Sequence, residues 1–144
     1  MAKKLLTATV TVSGGREGTA VSEDGNFNVA IAMPGTPRAK EMPEATNPEQ
    51  LFAAGYAACF ESALQGVSKM ERTPIDTEVI GNVSLYKDEE EGYRLQVNLI
   101  IKAKGTDQET LEKLVHQAHE TCPYSKAVRN NIEVTLEPQV VEQL

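Results

Sequence analysis

Apolar and polar residues alternate from the start of the chain. Ala8, Val10 and Val12 interleave with Thr7, Thr9 and Thr11, the two-residue period of a strand over residues 5–13. Gly14-Gly15-Arg16-Glu17-Gly18 interrupts that period as a turn. A second strand is predicted over 19–23, and Asp24-Gly25-Asn26 is a hairpin signal into a third over 27–33. Residues 34–46 hold Pro34, Gly35, Pro37 and Pro43 among mixed charges and read as a mobile loop, of a length that is often functional.

The period then changes to that of a helix. Asn47 suits an N-cap, Pro48 the first helical position, and Glu49 the positive end of the helix dipole. The helix should run to about Lys69, with Leu51, Phe52, Ala54, Ala58, Ala63, Leu64 and Val67 spreading apolar surface over more than one side. It therefore reads as a buried central helix. The cluster Ala53-Ala54-Gly55-Ala57-Ala58 has so little bulk that another backbone can approach closely.

A long strand follows from Pro74 through Tyr86, then the acidic turn Asp88-Glu89-Glu90-Glu91-Gly92, then a returning strand from Tyr93 to Ala103. Asp107 or Thr106 caps a helix whose apolar face is Leu111, Leu114, Val115 and Ala118. Pro123 stops that helix just after Cys122, and Ser125 is expected to cap a short turn from Lys126 to Asn130. Ile132, Val134 and Leu136 alternate as a last strand. The order βββ-α-ββ-α-β defines an α+β fold, with mainly antiparallel strands around a long buried central helix. At 144 residues it is expected to be a single domain spanning 1–144.

Charge narrows the function. A net charge of −7 argues against nucleic acid and against anionic membranes. No apolar stretch approaches the ~20 residues of a membrane span. Met1-Ala2-Lys3-Lys4-Leu5-Leu6 begins like a signal peptide, but the threonine alternation that follows belongs to a strand. A cytoplasmic location is the default, and the cytosol keeps thiols reduced. Two cysteines in such a chain point to catalysis or metal binding before a structural bridge.

Cys59 closes the run Asn47-Pro48-Glu49-Gln50-Leu51-Phe52-Ala53-Ala54-Gly55-Tyr56-Ala57-Ala58-Cys59, and Cys122 opens Cys122-Pro123-Tyr124-Ser125. Two thiols on two rigid elements suggest a reversible redox pair. A cysteine alone in an apolar helix is usually only a small hydrophobe, and burial opposes its ionisation. If Cys59 reacts, a cation must sit beside it. Among five arginines, Arg16 stands out in its glycine-flanked turn, with Arg38 of the loop as its rival. Alone, Arg16 would more often be a solvated turn residue and Glu49 a helix-dipole residue. His116, His119 and Cys122 raise a zinc alternative with Cys59 as a fourth ligand. Residues at i, i+3 and i+6 swing round the helix by roughly 120°, so one metal would not easily reach all three.

The run through Phe60, the Cys122-Pro123-Tyr124-Ser125 segment and the Gly14–Gly18 turn together closely resemble the organic hydroperoxide resistance (Ohr) branch of the OsmC/Ohr superfamily of thiol peroxidases. The resemblance covers nearly the whole chain. Tyr56 and the Arg16 turn favour the Ohr branch over the OsmC branch. It implies that Cys59 is the peroxidatic nucleophile, Cys122 the resolving thiol, and Arg16 with Glu49 the activating pair. It implies a Cys59–Cys122 disulfide in the cycle, an organic hydroperoxide as substrate and a lipoyl-bearing protein or other dithiol as reductant. No metal, haem or flavin is required. Phe52, Tyr56 and Phe60 are candidates for an apolar wall that favours bulky peroxides.

Glu49 and Cys59 are ten residues apart on one helix, so an unbroken helix separates them by ~15 Å along its axis. One arginine does not easily reach both in one chain. An intertwined homodimer with antiparallel central helices would bring Glu49 of one chain to Cys59 of the other, and a kink at Gly55 is the competing explanation. The alternatives to a peroxidase are a zinc-binding Cys/His domain and a non-catalytic binder of apolar ligands.

Overall fold

The computed structural model describes all of residues 1–144. The chain divides into two compact units, Met1–Leu51 and Phe52–Leu144. No helix is long and apolar enough to cross a membrane.

The first unit holds a three-stranded antiparallel sheet, β1 (Val10–Ser13), β2 (Thr19–Ser22) and β3 (Asn28–Ala30), in that order. Val10 pairs with Ser22 and Ser13 with Thr19. The alternation that starts at Leu5 is thus longer than the strand it forms. The ladder ends where β2 ends, and residues 1–9 run on exposed. Between β1 and β2 the chain makes one 3-10 turn, Gly15–Glu17. Gly14 and Gly15 take φ of 80° and 55°, left-handed conformations that a side chain would resist. In the β2–β3 turn the Asp24 carboxylate accepts from the Ser22 hydroxyl at 2.6 Å and the Asn26 N–H at 3.0 Å.

Residues 34–46 are not a bare loop. They fold into α1 (Pro37–Glu41), with Thr36 as N-cap accepting from the Ala39 N–H at 3.3 Å. Arg38 donates from Nε to the Ile31 carbonyl at 2.9 Å and from Nη2 to the Gly18 carbonyl at 3.1 Å. Thr46 closes the segment by bonding both Ala30 and Ala32 through its backbone. Arg38, the rival cation, is thereby committed to the backbone.

Helix α2 runs from Pro48 to Met70 without interruption at Gly55. Asn47 caps it, its Oδ1 accepting from the Gln50 N–H at 2.8 Å. From Phe52 onward the helix belongs to the second unit, where its burial is one-sided. Tyr56, Phe60, Leu64 and Val67 are buried at helical spacing, while Ala54 and Ala58 are exposed. The small residues do admit a second backbone, and that backbone is a strand of the same unit. A Cβ on Gly81 would lie 2.9 Å from the Ala53 carbonyl oxygen and 3.5 Å from the Ala57 Cβ.

Gly81 lies in β4 (Asp76–Asp88), which pairs along its whole length with β5 (Gly92–Lys104). Val97, Leu99, Ile101 and Ala103 of β5 join the α2 stripe in one apolar core. Full burial of each large side chain contributes roughly 1.5–3 kcal/mol. β6 (Val134–Val140) pairs with β5 in parallel, which requires a crossover connection. That crossover consists of α3 (Gln108–Thr121) and α4 (Pro123–Val128). Asp107 caps α3, accepting from the Thr110 N–H at 2.7 Å. Leu111, Leu114, Val115 and Ala118 are buried as the periodicity requires.

The α3–α4 junction differs from the sequence expectation. Cys122 ends α3, its N–H bonded to the Ala118 carbonyl at 2.8 Å, and is also the N-cap of α4. Pro123 occupies the first helical position, where its missing N–H costs nothing. Ser125 is therefore inside α4 and caps nothing. Its hydroxyl turns into the core.

Candidate active site

Cys59 lies on the fourth turn of α2 and is half-buried, whereas Cys122 at the α3–α4 junction is fully buried. Both are free thiols, Cys59 packing against the core in which Cys122 is buried. The Cys59 sulfur accepts from the Tyr124 backbone N–H. That N–H lies in the first turn of α4 and has no intrahelical partner, so it is available to a sulfur. Burial pushes the Cys59 thiol above its ordinary pKa, the Tyr124 N–H works against that shift, and the neighbouring Cys122 thiol adds to it. Within residues 52–144 the pocket thus keeps Cys59 protonated, and a cation is needed to make it a thiolate.

Arg16 and Glu49 are brought together within the first unit. The guanidinium donates to both carboxylate oxygens, at 2.7 and 3.0 Å, and Nη1 also lies 3.4 Å from the Met33 sulfur. Two parallel bonds fix the plane of the guanidinium as well as its position. The Glu49 side chain is only 16% exposed and that of Arg16 40% exposed.

Of the three aromatic residues expected to form an apolar wall, Phe52 alone keeps accessible surface. Tyr56 and Phe60 are completely buried. Tyr124 is a residue that sequence reasoning quoted in its motif without giving it a role. Its ring lies 6.1 Å from Phe52, edge to face, and 5.7 Å from Tyr56. Its hydroxyl rests against the bare Cα of Gly55, where a Cβ would come within 2.5 Å. Part of the ring remains exposed.

A second unforeseen feature is a chain of buried polar side chains. The Tyr56 hydroxyl and the Ser125 hydroxyl are 2.7 Å apart, and Ser125 Oγ is 2.8 Å from His119 Nδ1. Burial raises the Tyr56 pKa, so the phenol keeps its proton. Burial lowers the His119 pKa, and Arg129 and His116 lower it further against an opposing effect of Glu120. His116 points away from this chain to Glu120, at 3.1 Å on the exposed side of α3. No group of three or more His, Cys, Asp or Glu side chains is arranged to hold a metal ion. The zinc reading therefore lacks a ligand set, because the two histidines face different ways.

Comparison with known proteins places the chain in a family. The OsmC-like protein family model matches residues 39–137. The organic hydroperoxide resistance protein OhrA of Bacillus subtilis is 58% identical, over 95% of this chain and 98% of its own length. An organic hydroperoxide resistance protein of Xanthomonas axonopodis pv. citri is 42% identical, over 93% of this chain and 94% of its own. The crystal structure of OhrB of Bacillus subtilis superposes with a TM-score of 0.89 at 49% identity, covering 94% of this chain and all of that one. The chain belongs to the OsmC-like protein family, in its organic hydroperoxide resistance branch.

Proposed function

We propose that this protein is a cytoplasmic thiol peroxidase that reduces organic hydroperoxides to alcohols. The observation that carries the reading is the pair of free thiols at one core, Cys122 fully buried in it and Cys59, packed against it, the more accessible. The similar proteins named for organic hydroperoxide resistance support the substrate class.

The Cys59 thiolate attacks one peroxide oxygen and the O–O bond breaks. The alkoxide takes a proton and leaves as alcohol, and Cys59 is left as a sulfenic acid. The Cys122 sulfur then attacks Cys59. The sulfenic hydroxyl leaves with the Cys122 thiol proton as water, and a disulfide forms. A dithiol reductant, such as a lipoyl-bearing protein, restores both thiols by exchange. Arg16 supplies the cation that Cys59 requires and stabilises charge developing on the peroxide oxygens. Glu49 orients the guanidinium and partly offsets its charge.

The bidentate ion pair holds Arg16 to Glu49 of its own chain. The ~15 Å of helix between Glu49 and Cys59 favours a homodimer in which each Arg16–Glu49 pair serves the Cys59 of the partner. The exposed Ala54 and Ala58 face of α2 gives a partner helix room to approach.

The test is an intact-mass and thiol titration of the reduced protein with limiting organic hydroperoxide, beside hydrogen peroxide. Loss of two thiols per chain with a Cys59–Cys122 disulfide, much faster with the organic peroxide, is expected. Slow loss without preference would move the case to a binder of apolar ligands.

A further inference from the structure

Met33 brings a third sulfur into the chemistry, at the Arg16–Glu49 pair. Its thioether accepts from Arg16 Nη1 at 3.4 Å, and the same nitrogen donates to Glu49 Oε1 at 2.7 Å. The two protons of Nη1 thus serve one sulfur and one carboxylate oxygen. All three residues belong to the first unit. The backbone on both sides of Met33 holds the contact in place. Ile31 and Ala32 are buried just before it, and the Ala32 N–H donates to the Thr46 carbonyl at 2.9 Å. The Met33 carbonyl accepts from the Thr36 hydroxyl at 2.6 Å. Met33 and Arg16 are both half-buried, so neither is closed to a small solute.

A thioether is a weak acceptor, but it is also a nucleophile. One lone pair of the Met33 sulfur faces the guanidinium, and the other is left to react. A hydroperoxide held by Arg16 has its O–O bond beside this sulfur. The guanidinium stabilises the alkoxide that leaves when the bond breaks.

We propose that Met33 is an oxidation site: the organic hydroperoxide converts it to the sulfoxide, whose oxygen captures the Arg16 guanidinium and slows the peroxidase. This rests on the reading in which Arg16 serves Cys59. The sulfur lone pair attacks the hydroxyl oxygen of the hydroperoxide, the O–O bond breaks, and the alkoxide leaves. The alkoxide takes the proton of the transferred oxygen and departs as alcohol, so sulfur loses two electrons and the peroxide gains them. The sulfoxide oxygen is a stronger acceptor than the thioether it replaces. On Nη1 it competes with Glu49, and its partial negative charge offsets the positive charge offered to the thiolate. A thiolate is a better nucleophile than a thioether, so Met33 is oxidised when peroxide outlasts the reduced thiols. The modification is then an overload brake, which methionine sulfoxide reductases release.

The four methionines supply the controls. Met1 and Met70 are far more exposed than Met33, and exposure alone would oxidise them first. The experiment treats Cys59→Ser protein, which cannot consume peroxide at that thiol, with cumene hydroperoxide and follows the sulfoxide at each methionine by peptide mass. Met33 is expected to oxidise about tenfold faster than Met70, the size of one charged hydrogen bond to the leaving oxygen. That lead should disappear in Arg16→Ala. In the oxidised Cys59→Ser protein, the Arg16 guanidinium resonances in nitrogen NMR should shift, and return with methionine sulfoxide reductases. Wild type is oxidised as the disulfide, which shields both cysteines, and then reduced with dithiothreitol. It should retain roughly a tenth of its own untreated rate and recover with the same reductases, whereas Met33→Leu keeps its own untreated rate through the treatment. Oxidation of Met70 ahead of Met33, a lead that survives in Arg16→Ala, or unshifted Arg16 resonances overturns the proposal. So does a Met33 sulfoxide that leaves the wild-type rate intact. Untreated wild type without peroxidase turnover sinks the peroxidase reading instead, and the mass mapping and NMR still decide the fate of Met33.

Discussion

The Arg16 guanidinium grips the Glu49 carboxylate of its own chain through two parallel bonds of 2.7 and 3.0 Å. This makes the pair one rigid object, and in the proposed mechanism it moves together to whichever Cys59 it serves. Arg16→Ala should slow hydroperoxide attack on the order of 100-fold, as loss of one donor to a developing oxyanion does. Service across a dimer then has a simple signature. Mixed dimers of Arg16→Ala and Cys59→Ser chains contain one intact site, formed by the intact cysteine of the first chain and the intact arginine of the second. They should recover about half of the wild-type activity per dimer, with one of two symmetric sites restored. Service within one chain leaves a lesion in every site and no recovery. Peroxidase assay of the purified mixed dimer decides between them.

Gly55 is where the aromatic cluster meets the helix backbone. A methyl group there would lie 2.5 Å from the Tyr124 hydroxyl oxygen and 3.1 Å from the ring carbon that bears it. Gly55→Ala should therefore swing Tyr124 aside and disturb the backbone N–H that Tyr124 offers to Cys59. Helix propensity opposes any large loss of stability, because alanine is better than glycine by ~1 kcal/mol in a helix. The expected outcome is a near-normal unfolding midpoint with slower disulfide formation. Tyr124→Phe in the same chain should restore part of the rate by removing the hydroxyl contact. A double-mutant cycle that shows no coupling would dissociate the two residues.

Phe60 is fully buried in the core of the second unit, with Leu64, Leu99 and Leu111. Phe60→Ala should cost about 3–5 kcal/mol in urea unfolding, as other large-to-small core changes do. Phe52 is only partly buried, so Phe52→Ala should cost less and act on the KM for a bulky hydroperoxide. If the two variants show equal stability and equal kinetics, the division between core and wall is wrong.

Much of the fold was legible because its signals are local. The Asn47 cap, the alternation from Leu95 to Ile101 and the apolar face of α3 each depend on neighbouring residues, and each forms as read. The misses came from partners distant in sequence. The N-terminal alternation from Leu5 says nothing about where β2 ends, so β1 is shorter than its pattern. The parallel pairing of β6 depends on the crossover and leaves no mark in the strand itself. In the 34–46 segment, prolines and charges suggest mobility, but Arg38 reaches back to Gly18 and Ile31. For the candidate chemistry, the motifs pointed to the two cysteines of the second unit and to Arg16 and Glu49, which pair within the first. Serine at a helix start is usually a cap, whereas the use of Ser125 by Tyr56 and His119 requires three helices in place. Tyr124 carried a signal that was available: an aromatic residue two places after a cysteine at a proline-started helix.

Stability should fall on the acid side because of His119. In the folded chain its pKa is lowered, by burial first and then by Arg129 and His116. In the unfolded chain it titrates at the ordinary imidazole value of about 6.5. As the pH drops below that value, the unfolded chain takes up the proton before the folded one. The unfolded state then binds more protons, so stability rises with pH in this window and is fully present above it. It is lost progressively as the pH falls toward the folded pKa, and the ring's partial exposure to solvent tempers the size of the loss. His119→Asn removes this titration, so its unfolding free energy should change less between pH 7.5 and 5.5 than that of wild type, as an order-of-magnitude window around the imidazole range. Urea denaturation of the reduced proteins at several pH values measures both slopes. Equal slopes would mean that the ring titrates alike in the folded and unfolded chains, and that burial beside Ser125 does not hold it neutral.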